Sequence, residues 1–185
     1  MREAWFYHLL ILGKGSMRIR LIFAALFGVS ALLWAEDTRS KVEKHPAFDR
    51  LKTLAGKWDG TEEKSGKSVP SNARFQIISD GSTIMGWLNE GMADEMATVF
   101  HMDGKQVMAT HYCSAHNQPR LVLDWGGDPH KLTFKFKDGT NIGPNDGHMQ
   151  AVTFTLIDSD HHTEDWVYLD KGKEYNAHFK FERKR

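Results

Sequence analysis

The chain has 185 residues and balances 24 Lys and Arg against 24 Asp and Glu, with ten His and a single Cys. No basic stripe argues for nucleic acid and no acidic tract for a solvating tail. One cysteine excludes an internal disulfide, so a thiol in an oxidising compartment has to be buried, modified or paired with another chain.

The first element in chain order is a leader. Met17-Arg18-Ile19-Arg20 is a short basic start, Leu21 to Ala35 carries no charge, and Glu36-Asp37 is abruptly polar. Basic, then apolar, then a small residue before a charged run is the pattern of a secretory signal starting at Met17 and cut near Ala35. The apolar run is shorter than the roughly 20 residues of a spanning helix, so no stable membrane span is expected after cleavage. Leu33 is larger than the ideal small residue three positions before a cut, and an uncleaved anchor is the alternative. This divides the chain into an extension and signal over 1–35, a polar linker over 36–45 and a domain over 46–185.

A short helix is expected over His45 to Gly56. Pro46 suits a first helical turn, Phe48, Leu51 and Leu54 recur at helical spacing, and Gly56 is placed to stop it. From Lys57 the period changes to two, with turn signals every eight to twelve residues. Ten strands follow, over 57–63, 69–79, 82–90, 95–102, 105–114, 119–126, 131–137, 148–158, 161–170 and 173–183. Asp80-Gly81, Asp103-Gly104 and Lys171-Gly172 fit tight hairpins. Ten short antiparallel strands in succession hide their edges best by closing into an up-and-down barrel; a two-sheet sandwich is the alternative, but its longer crossovers are not evident. The fold class is therefore all-β, a ten-stranded antiparallel barrel with one short N-terminal helix. A barrel of this size can enclose one small ligand.

Gly56-Lys57-Trp58 follows the helix directly, and Arg183 lies near the end of the last strand. The combination of helix, Gly-x-Trp, ten strands and terminal basic residue resembles the lipocalins and their calycin relatives. The resemblance implies that Trp58 packs at the base of the barrel under Arg183, tying first strand to last. A guanidinium over an indole contributes about 0.5–2 kcal/mol. The segment His111-Tyr112-Cys113-Ser114-Ala115-His116-Asn117-Gln118-Pro119-Arg120 is similar to one in bacterial secreted lipocalin-like proteins of unknown function. It departs from them at His116, where they usually carry Gly.

That segment concentrates chemistry. Strand alternation puts Val107, Ala109, His111 and Cys113 on one face. Three functional readings stand beside a structural one, in which these side chains satisfy turn backbone. In the first, His111, Cys113, Asn117, Gln118 and Arg120 form the polar end of an apolar pocket, with Arg120 able to hold an acidic head group. Strand residues Phe100, Leu123, Phe134, Phe136, Phe179 and Phe181 would line the rest. In the second, Cys113 with His111 is a thiolate–imidazole pair of an enzyme or redox protein. In the third, His111, Cys113 and His116 bind a metal with His101 or an Asp, or His178 on the last strand ligates haem, as in nitrobindin-like barrels. Alternation sets His178 opposite Phe179 and Phe181, which weakens haem. His161-His162, with Glu164 and Asp165 close by, read as a solvated hairpin tip, and Trp58, Trp87, Trp125 and Trp166 as strand aromatics. The reading preferred is an exported, non-catalytic carrier of a small hydrophobic or amphipathic molecule in the periplasm or outside the cell. It needs no cofactor and no metal.

Overall fold

A computed structural model describes residues 43–185 apart from Ser65. The signal expected over 17–35 and most of the linker lie outside the described residues. Helix α1 spans Pro46–Lys52. Ten strands follow: β1 Gly56–Lys64, β2 Lys67–Ile78, β3 Thr83–Leu88, β4 Met96–Asp103, β5 Gln106–Tyr112, β6 Gln118–Asp124, β7 Lys131–Thr140, β8 His148–Leu156, β9 His161–Asp170 and β10 Lys173–Arg183. Each pairs antiparallel with its sequence neighbour, and β1 also pairs with β10, so the sheet is a closed barrel rather than a sandwich. Closure removes both edges.

The helix is shorter than expected. His45 caps it by accepting the Ala47 amide on Nδ1 at 3.2 Å, and Pro46 occupies the first turn. It ends at Lys52, where Thr53, Leu54 and Ala55 bond back three residues in a tightened last turn. Gly56 is therefore not the helix stop. It opens β1 with φ +132°, and a Cβ there would lie 2.7 Å from Nη1 of Arg183. Glycine is needed because a guanidinium occupies the space of a side chain.

Most strand boundaries shift by one to three residues from the sequence reading: β5 ends at Tyr112, so Cys113 lies just past the strand expected to carry it, β8 ends at Leu156, and three further shifts have local reasons. β3 stops at Leu88 because Asn89 takes a positive φ and bonds Ser71 and Asp94 through its side chain. β7 runs on to Thr140 because a register shift at Arg120/Leu121 lets Gln118–Arg120 pair with Asp138–Thr140. Trp125 falls just beyond β6 and donates its indole N–H to the Asp128 carbonyl at 2.9 Å.

The two ends of the barrel differ. Phe48, Leu51 and Leu54 of the helical segment join the core beside Trp58, whose Nε1 donates to the Leu54 carbonyl at 2.8 Å. Arg183 is the register partner of Trp58, with its guanidinium 4.1 Å from the indole. It also donates to the carbonyls of Thr53, Ala55 and Ser159 at 2.7–2.8 Å. This end is plugged. The other end, ringed by the β1–β2, β3–β4, β5–β6, β7–β8 and β9–β10 connections, has no helix across it among the described residues.

Candidate functional site

The Thr110–Arg120 segment sits at the unplugged end. His116 makes the turn between β5 and β6 with a positive φ of 64°, a conformation in which a β-branched residue would be strained. Its amide donates to the Cys113 carbonyl, and the Cys113 amide donates to the Asn117 carbonyl. Asn117 is buried and donates Nδ2 to the Gly147 carbonyl at 2.8 Å, stapling this turn to the β7–β8 loop. Gln118 uses its Oε1 to accept from Thr140 and Asn141 at 2.8 and 2.7 Å. Arg120 points outward, half-exposed, with Nε 2.5 Å from Asp138. Its charge is turned away from the interior and already neutralised.

Cys113 is half-buried, and desolvation pushes its thiol above the usual value, only partly offset by hydrogen bonds at Ala115 and Ser114. It is therefore a thiol rather than a thiolate near neutral pH. His111 is fully buried while His116 lies exposed in the turn, so those two do not share a site. Among the described residues no three His, Cys, Asp or Glu side chains are grouped to hold a metal ion.

The polar chemistry of the interior lies deeper and on other strands. His111 of β5 faces Thr98, its register partner on β4, with Nδ1 2.8 Å from the hydroxyl. Its ring lies 4.8 Å from the indole of Trp166, which reaches over from β9. Trp166 donates its N–H to Glu164 Oε2 at 2.8 Å, and the other carboxylate oxygen is 3.2 Å from His162 Nε2. The His162 ring stands edge-on to Trp58 at 4.3 Å. Thr98, His111, Trp166, Glu164 and His162 thus form a buried file from the unplugged end to the base. Desolvation pulls the His111 pKa down to about 4, so the ring is neutral at physiological pH. His111 Nε2 and His162 Nδ1 have no hydrogen-bond partner among the described residues.

This corrects one expectation. His162 and Glu164 are buried rather than part of a solvated tip, whereas Asp165 is exposed and so is His161, bonded to Asp158 at 2.9 Å. Period two was the available signal, because His162, Glu164, Trp166 and Tyr168 share a face by alternation. A His and a Glu on that face disguised it as solvent-facing.

Room inside is graded. Phe100, Phe134 and Phe154 are fully buried and pack edge-to-face with centroids 5.5–6.3 Å apart. Phe179 and Phe181 are buried with them. A cavity of about 10 Å³ beside Gly86, Thr98, Phe100, Glu164 and Trp166 has space for one water. A haem or drug-sized guest needs roughly 300–1,000 Å³ and does not fit at this depth. The haem candidate His178 lies on the outer face, its Nδ1 2.5 Å from Asp165. One layer nearer the unplugged end the packing loosens: Met96, Cys113, Tyr168 and Ala177, each two residues beyond an inward-facing buried one, are only half-buried. Phe136 is half-buried too, with the His148 ring at 4.3 Å; Leu123, also half-buried, lies at the other end of the barrel, beside the β6–β7 connection. Beneath the half-buried layer at the unplugged end, His111 and Trp166 are buried.

The fold is similar to that of Rv2717c from M. tuberculosis, whose crystal structure matches with a TM-score of 0.53 at 13% sequence identity, covering 77% of this chain and 100% of that one. At that identity the likeness shows the fold alone. No family model and no curated protein matches the sequence.

Proposed function

We propose that this is an exported binding protein that holds a small apolar or amphipathic molecule in the unplugged mouth of its barrel. The observation that carries this is the change in packing along the barrel axis. Aromatic side chains fill the base, whereas the inward-facing layer of Met96, Cys113, Phe136 and Tyr168 is half-buried over a floor with a neutral imidazole. A few placed polar groups in an apolar concavity is the usual make-up of a small-ligand site. The site is smaller than the deep cup expected of the fold, so the guest is a short chain or a single ring. Arg120 takes no part in it. The charge-free run from Leu21 to Ala35 supports action after export.

Native mass spectrometry of the protein recovered from outside the cytoplasm tests this. The expected species starts at Glu36 and carries an excess mass that is lost on denaturation. A species that keeps residues 17–35 and has no excess mass, and that gains none when incubated with short-chain alcohols, would refute both halves.

A further inference from the structure

The chemistry of the guest's polar atom can be read from the hydrogen bonds around His111. Resting on the binding reading above, we propose that His111 is held as the Nε2–H tautomer and donates that proton to a neutral oxygen acceptor, a carbonyl or hydroxyl oxygen, on the ligand. The Thr98 hydroxyl is buried and must place its proton on an acceptor. Among the described residues its hydrogen-bond partner is His111 Nδ1, 2.8 Å away. If Thr98 donates, Nδ1 is the lone-pair nitrogen and the ring proton sits on Nε2. That N–H is buried and finds no acceptor among the described residues. A buried donor left so costs the desolvation of the group, and a ligand oxygen is what it lacks.

The charge of the surroundings selects against an acid. The buried ionisable side chains among the described residues are His111, His162 and Glu164, with no Lys or Arg among them. The Glu164 carboxylate already accepts from Trp166 and lies against His162. A carboxylate brought to this floor meets a neutral imidazole and the negative faces of aromatic rings, with no Lys or Arg among the described buried residues. The arginine that would have recognised an acid is outside the barrel, paired with Asp138. A ketone, aldehyde, ester or alcohol meets none of these penalties.

Two measurements on the full mature protein test the proposal. Long-range proton–nitrogen NMR of the wild type identifies the His111 tautomer. Protonated Nε2 with a lone pair on Nδ1 is expected; protonated Nδ1 would overturn the proposal, because Nε2 would then be an acceptor or a metal ligand. Titration with three probes of matched size, cyclohexanone, cyclohexanecarboxylate and cyclohexane, then reads the head-group preference. Cyclohexanone is expected to bind at least tenfold tighter than the other two, and His111→Phe to abolish that preference. Carboxylate or hydrocarbon binding as tightly as the ketone overturns the proposal while the binding reading stands. Binding of none of the three overturns both.

Discussion

A single imidazole decides most of the chemistry inside this barrel. His111 would have a pKa near 6.5 in the unfolded chain and has about 4 in the folded one, because burial disfavours its charged form. Between those values the unfolded chain binds a proton that the folded chain refuses. Its contribution is therefore whole above pH 6.5 and is lost as pH falls through 6.5 towards 4, about 3 kcal/mol in all. Urea unfolding of the wild type and of His111→Gln at a series of pH values checks this. The variant is expected to lack one proton's worth of slope in that interval; identical slopes would contradict it. The sequence pointed to His111 through its company in a dense segment, and alternation paired it with Cys113. The register that makes Thr98 its partner depends on the Asp103-Gly104 hairpin pairing residue for residue, which composition alone does not fix. Glu164 and His162 were illegible for another reason: acidic and basic residues beside a turn look solvated unless the opposite wall of the barrel is known.

At the scale of elements, the sheet is closed by one residue as much as by a ladder. Arg183 donates to carbonyls of the α1–β1 connection and of the β8–β9 hairpin, and covers Trp58. It links helix, first strand and last strand at the plugged end, where Gly56 gives up a side chain to make room. Hydrogen bonds from a charged donor contribute about 1.5–3 kcal/mol each in favourable cases, and the cation–π contact about 0.5–2 kcal/mol. Partial exposure and shared geometry reduce the sum. Arg183→Ala is expected to cost about 2–4 kcal/mol in urea unfolding, and Arg183→Lys to recover less than half, because an ammonium cannot span three carbonyls in one plane. Faster amide exchange at the β1–β10 seam should accompany the loss. A variant unchanged in both respects would show that the ladder closes the barrel unaided. Strand positions were readable because apolar residues alternate from Trp58 onward. The residue-level errors fell where side chains override propensity, at Asn89, at the Arg120/Leu121 shift and at the early end of the helix.

For the whole molecule, closure and filling are separate properties. The order of hairpins makes an edgeless cylinder legible from turn spacing, yet whether a cylinder is hollow depends on which large side chains face inward at each layer. Here Phe100, Phe134, Phe154, Phe179 and Phe181 occupy the lower half, so the volume expected for a guest contracts to the layer around Phe136 and Tyr168. The most direct measurement is the set of intermolecular Overhauser contacts made by a small amphipathic probe, cyclohexanol, at saturating concentration. A site in the mouth gives contacts to ring protons of Phe136, Tyr168 and Trp166. Contacts confined to outward-facing rings such as Trp87 and Tyr112, or none at all, would contradict it.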